Sequence, residues 1–108
     1  MRKVTEITIK AFLAGKTRKV GNTSTDGTIL RLHGNRIAEK MPDGSIVANM
    51  AGWGTVTTRE RLNGLCRLLG LGCMFGQDKF VQYYGSRPVR TTEEIVLIRP
   101  GSLAVTIG

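Results

Sequence analysis

One histidine, His33, and two cysteines, Cys66 and Cys73, are all that this sequence offers a transition metal beyond its carboxylates. Zinc generally takes four ligands, mostly nitrogen and sulfur, so a zinc site is excluded. Two cysteines are also too few for a disulfide framework, and nothing marks the chain as secreted, so both read as reduced thiols. Proline is scarce at three residues, whereas glycine is plentiful at fourteen, which points to many tight turns. Long apolar runs are missing. None approaches the roughly 20 residues that cross a bilayer, and Glu6 and Lys10 interrupt the start before an apolar segment of signal-peptide length can form. No membrane contact is expected, and the inside of a cell is the expected location.

Acidic side chains are the other shortage. Eight Asp and Glu face sixteen Lys and Arg, for a net charge of +8 over 108 residues. That length allows one domain whose folding buries roughly 60–70% of the unfolded surface. With 41% hydrophobic and 22% charged residues the chain is globular rather than disordered. The charge is uneven. Residues 1–20 carry +5, from Arg2, Lys3, Lys10, Lys16, Arg18 and Lys19 against Glu6; residues 21–58 are neutral; residues 59–108 carry +3. Such an excess attracts polyanions and makes their binding sensitive to salt.

Hydrophobic periodicity predicts a single α+β domain over 1–108. Residues 1–27 form a basic N-terminal part, in which 4–13 fits a strand (Ile7, Ile9 and Ala11 against Glu6, Thr8 and Lys10) and a helix (Ile7, Ala11 and Ala14) equally well. Residues 15–27 read as a basic loop or edge segment. Residues 28–51 predict a three-stranded antiparallel meander, with Leu30 and Leu32 opposite Arg31, a break at Gly34-Asn35, a turn at Pro42-Asp43-Gly44, and Ile46, Ala48 and Met50 on one side. A helix over 57–70 follows: Thr57 and Glu60 have the spacing of a capping box, Leu62, Leu65, Cys66 and Leu69 form its apolar stripe, and Gly70 and Gly72 stop it. Residues 73–99 suggest a hairpin turning at Gly76-Gln77-Asp78 and a strand at Ile95 to Ile98, with 103–107 as a further edge strand or a frayed end. The expected architecture is one amphipathic helix packed on a mainly antiparallel sheet.

Catalytic constellations are not legible. Gly15-Lys16-Thr17 resembles the end of a phosphate-binding loop, but Lys10 stands where its earlier glycine belongs and no buried parallel strand precedes it. Asp26, Asp43 and Asp78 all sit in or beside turns, where aspartate bonds its own backbone. Cys66 lies on the apolar stripe, where burial makes a thiol a poor nucleophile. The chain is therefore expected not to be an enzyme, to need no cofactor and to bind no metal.

Binding residues are better represented. Lys16, Arg18 and Lys19 form one basic segment, and Arg87 and Arg90 mark a second within 85–90. At 100° per residue Arg59, Asn63 and Arg67 line one flank of the helix, which offers two guanidinium groups to phosphates. Lys79-Phe80-Val81-Gln82-Tyr83 has the look of an aromatic RNA-binding strand, although Gln77 and Asp78 replace the glycine and aromatic that should precede it; Tyr83 or Tyr84 could stack on an unpaired base. Trp53, Arg61 and Leu68 are the expected contacts for a protein partner, since tryptophan and arginine anchor interfaces disproportionately.

Four phrases taken together carry a resemblance: Lys19-Val20-Gly21-Asn22-Thr23; Leu32-His33-Gly34-Asn35-Arg36-Ile37-Ala38; Ala51-Gly52-Trp53-Gly54-Thr55; and Thr57-Thr58-Arg59-Glu60-Arg61-Leu62-Asn63-Gly64-Leu65. Over roughly residues 10 to 85 the chain resembles a widespread family of small tailed-bacteriophage proteins. The resemblance implies a viral origin and a host bacterial cytoplasm and lends no catalytic residue. The leading expectation is a phage accessory protein that binds nucleic acid with little sequence preference. Its rivals are an inhibitor of a host protein or nucleoprotein machine, such as a CRISPR-type defence complex, and a minor virion or assembly component that forms homo-oligomers through a sheet edge.

Overall fold

The computed structural model describes residues 1–100. The chain opens with helix α1 (Lys3–Ala14), which resolves the ambiguous segment. Its buried stripe is Thr5, Thr8, Ile9 and Phe12, spaced i, i+3, i+4 and i+7. Two of those four are threonines, so the helical period is hidden from any count of apolar residues. Thr8 satisfies its hydroxyl within the helix by donating to the Val4 carbonyl at 2.6 Å. Gly15 stops α1 in the left-handed region (φ 73°), where its amide and that of Lys16 close on Phe12 and Ala11.

Nine strands follow among the described residues: β1 (Arg18–Val20), β2 (Thr23–Thr25), β3 (Ile29–Leu32), β4 (Asn35–Lys40), β5 (Ile46–Ala48), then, after helix α2 (Val56–Leu68), β6 (Phe75–Asp78), β7 (Val81–Tyr84), β8 (Arg87–Val89) and β9 (Ile95–Ile98). The predicted meander is the centre of a larger sheet ordered β1-β2-β3-β4-β5-β9, antiparallel throughout. The segment read as a basic loop or edge segment is the edge: it supplies the first two strands. β9 returns to pair with β5, at the edge opposite β1. A register shift beside Leu30 and Arg31 lets β4 turn both Ile37 and Ala38 into the core. On that inner side Leu30, Ile37, Ile46, Ala48 and Ile95 pack with Ile9 and Phe12 of α1 and with Leu62, Leu65 and Cys66 of α2. The α+β class holds, with two helices and two sheets in place of one of each.

α2 carries the predicted stripe but starts differently. Thr55, in extended conformation, is the N-cap, and its hydroxyl accepts from the Thr58 amide at 3.2 Å. Thr57 lies inside the helix, so the Thr57–Glu60 capping box is corrected. Glu60 instead faces α1. The two helices meet at Gly64, where a Cβ would lie 2.3 Å from Thr5 Cγ2, so only glycine permits this approach.

β6, β7 and β8 form a separate three-stranded ribbon. Asn63 of α2 anchors it by accepting from the Phe75 amide at 2.6 Å and donating to the Phe75 carbonyl at 3.0 Å. The hairpin exists, but its turn is Lys79-Phe80, because Asp78 pairs directly with Val81. Both turn residues are left-handed, φ 49° and 68°. That is the geometry of the two-residue turns which suit right-twisted strands and normally select Asn-Gly. Gly76, Gln77 and Asp78 are strand. The suggested strand at 103–107 lies outside the described residues.

Candidate functional site

Arg61, expected at a protein interface, is 3% exposed. Its guanidinium donates to Thr23 Oγ1 (2.8 Å), Thr5 Oγ1 (3.0 Å), Asn22 Oδ1 (3.2 Å) and the Glu60 carboxylate. It thus ties α1, α2 and β2 together and has no surface left to dock with. Burial works to raise the Glu60 pKa, but bonds from Thr5, Arg61 and the Arg2 amide together hold it below the usual glutamate value. Arg59 is half-buried and shares a surface cleft with Asn63 and Arg67, as the expected helix flank requires. One of its nitrogens donates to the carbonyl of Gly54 and to the Gln77 and Gln82 side chains at 2.9 to 3.0 Å, so it joins α2 to the ribbon.

Other cations do gather. A cleft of about 320 Å³ between α1 and β1 contains Lys10, Lys16 and Arg18 over the apolar flank of Ile7 and Ala11. Alternation along β1 sends Lys19 to the opposite, open face of the sheet. There Lys19 pairs in register with Ser24, Ser24 with Arg31, and Arg31 with Arg36. The edge strand therefore presents positive charge on both faces. Lys10 pairs with Glu6 at 3.4 Å, and Arg36 is occupied by Glu39 and Glu94 at 2.6 Å each. Lys16, Arg18, Lys19 and Arg31 have no ion pair among the described residues. Lys40 joins this end from β4, lying 5.3 Å from the Phe12 ring centroid and next to Gly15 at the negative end of α1. Sequence reasoning had placed Arg31 opposite Leu30 and Leu32, but only the strand order makes it a neighbour of Lys19.

A second cleft, about 340 Å³, holds Arg59 and Arg67 with Met1, Glu60, Asn63 and Met74. It sits at the start of α1, whereas the first lies along the second half of that helix. The segment 85–90 joins neither. It becomes β8 and leads to the β9 edge, five strand spacings or about 24 Å from β1. Arg87 is paired with Glu93 at 2.7 Å, and the Arg90 amide donates to the same carboxylate. The two basic segments therefore do not merge.

The aromatic candidates separate too. Tyr84 is half-buried against Phe75, ring centroids 4.8 Å apart, and burial pushes its hydroxyl up to about 12. Tyr83 is half-buried on the ribbon's other side. Leu68 packs against the core. Trp53 stays open at 59% exposure, and Phe80, at the hairpin tip, reaches 92%. Cys66 is buried, with its thiol pushed up to about 12, whereas Cys73 is exposed. No three His, Cys, Asp or Glu gather to hold a metal ion among the described residues. Within the same residues no helix is long and apolar enough to cross a membrane.

Fold and surface define a small α+β protein with a cationic sheet edge. The family described as Kyanoviridae Gp96 protein matches residues 1–98, and the chain belongs to that phage family. No curated protein and no solved structure matches it.

Proposed function

We propose that this phage protein is a non-enzymatic accessory factor that binds DNA or RNA with little sequence preference in the cytoplasm of the infected bacterium. The observation that carries the reading is the β1 edge: Lys16 and Arg18 on the helix side and Lys19 and Arg31 on the open face, none of them in an ion pair among the described residues. Phosphate contacts by such side chains give affinity without base readout. Arg67 and Arg90 are peripheral contributors. Arg59 and Arg87 contribute less, since Gln77 and Gln82 engage the first and the Glu93 carboxylate the second.

The test is a titration of labelled single- and double-stranded DNA and RNA at low and high salt, with the full chain and a Lys16→Glu/Lys19→Glu variant. Binding should weaken steeply with salt, and the variant should lower the slope of log K against log salt by roughly 0.7 to 0.9 for each phosphate that it no longer neutralises. Absence of binding at low salt ends this reading.

A second reading, docking to a host protein or nucleoprotein machine, draws on the exposed Trp53 and Phe80. Recovery of the same host partner before and after nuclease treatment, lost in Phe80→Ser, would favour it over the first.

A further inference from the structure

A cleft of about 440 Å³ opens at the end of the large sheet where β3 turns into β4 and α2 begins. This lies within the range of small-molecule pockets. Leu32, Ile37 and Met50, all core side chains, make its floor, and the indole of Trp53 makes one wall. His33, Asn35, Thr55 and Thr57 supply the polar atoms. The lining contains no carboxylate, lysine or arginine, although the chain as a whole carries +8.

Both polar and aromatic walls are held by left-handed turns. His33 has φ 52°, fixed by its amide bond to the Asn22 carbonyl at 2.7 Å. Ala51 has φ 55° and Gly52 φ 84°; the Gly52 amide is tied to the Thr91 carbonyl, and the Trp53 amide to the Met50 carbonyl at 2.8 Å. The left-handed φ of His33 is what the two-residue His33-Gly34 turn of the β3–β4 hairpin requires, since Leu32 pairs directly with Asn35, and Ala51 is the left-handed position that aims Trp53. Asn35 and Thr57 have no side-chain hydrogen bond among the described residues, so an amide and a hydroxyl, each able to donate and accept, are open to an occupant.

An apolar floor beside an indole wall suits a flat ring. The absence of any acid leaves no partner for an amine, and the absence of lysine and arginine leaves a carboxylate only the His33 ring, 3.5 Å from the Asn22 amide, and neutral donors. What fits is a neutral planar heterocycle whose edge both donates and accepts hydrogen bonds. We propose that this cleft binds a nucleobase, stacked on Trp53 with its edge toward Asn35 and Thr57. The inference goes beyond the cationic edge and uses none of its residues. The two are nonetheless neighbours: Val20 pairs with Thr23 and Thr23 with Leu32 of the cleft floor, two strand spacings or about 10 Å.

Trp53 is the only tryptophan in the chain, so its fluorescence reports on this cleft alone. The full chain is titrated with the common nucleosides, which carry no phosphate, and in parallel with short single-stranded DNA. Saturable quenching by nucleosides, insensitive to salt, supports a site for free bases. Saturable quenching by strands alone supports a site for an unpaired base within a polymer. In either case Asn35→Ala and Thr57→Val should each raise the half-saturation concentration about three- to tenfold while leaving the melting temperature in place. Quenching by neither ligand, or quenching that both variants leave unchanged, overturns the proposal. Because nucleosides bear no charge, their result is separate from success or failure of binding at the β1 edge.

Discussion

The large sheet and the small ribbon use the same antiparallel pairing, yet different forces hold them in place. The large sheet buries an apolar face under both helices and is pinned near its β1 edge by a buried guanidinium, Arg61, with Glu60, Thr5, Thr23 and Asn22 around it. The ribbon gives the core little beyond Phe75 and Val89, and it hangs on α2 through the Asn63 amide and the Arg59–Gln77–Gln82 group. Apolar burial scales with area, whereas amide bonds exchange readily for bonds to water. The ribbon is thus the part that opens first, and its tip is free to carry an exposed aromatic.

The contrast breaks most severely at Arg61. Arg61→Ala leaves Glu60 and three polar groups without their shared partner, and should cost about 3–5 kcal/mol, the range for removing one member of a buried ion pair. Denaturant unfolding of the whole molecule is the measurement. A loss below about 1 kcal/mol would mean that water replaces the guanidinium and that the pin is not structural.

Asn63→Ala sharpens the comparison from the other side. Loss of both bonds to Phe75 should cost about 1–3 kcal/mol. Hydrogen exchange should then quicken in β6, β7 and β8 while amides of β3 and β4 keep their protection. Equal acceleration in both sheets would show them to be one cooperative unit.

Acid should act weakly on each. The Arg36 guanidinium, followed by the Asn49 amide, holds Glu94 below the ordinary glutamate value of 4.5. Its stabilising contribution is complete above 4.5 and is lost as pH falls through the lowered value. Arg87 depresses Glu93 on the ribbon side in the same direction. For Glu94 the effect should be at most about 1 kcal/mol, since the bridge is partly solvated. Denaturation midpoints from pH 6 to pH 3, compared with Arg36→Gln, should show a flatter acid limb in the variant.

The smallest effect is expected at the hairpin tip, and it is a gain. Lys79→Asn/Phe80→Gly puts the preferred residues into two left-handed positions and should raise stability by about 0.5–1 kcal/mol. A thermal melt reads it. A loss would mean that the Phe80 ring supports the ribbon despite its exposure.

Much of the fold was legible because it follows short-range rules. Leu30 and Leu32 against Arg31 marked β3, Pro42-Asp43-Gly44 marked the next turn, and Leu62, Leu65 and Cys66 marked the inner face of α2. α1 stayed ambiguous because Thr5 and Thr8 occupy half of its buried stripe, and the turn at Lys79-Phe80 was hidden because neither residue is a usual turn former. The candidate site was less legible. Arg59 and Arg61 are two positions apart on a helix that local pattern treats as surface, and their fates depend on neighbours 18 to 56 residues away. The placing of Lys19 and Arg31 on either side of Ser24 depends on strand order, and the uncharged cleft draws on β3, β4, the 50–53 turn and α2, which only tertiary packing assembles.

The pairing of β9 with β5 has a consequence for synthesis. Every other described element leaves the ribosome before β9, so until then β5 stands with one side unpaired, and its three residues, Ile46, Val47 and Ala48, are apolar. A message cut short before codon 95 would yield a chain with this sticky flank permanently open, prone to pairing with copies of itself and to precipitation.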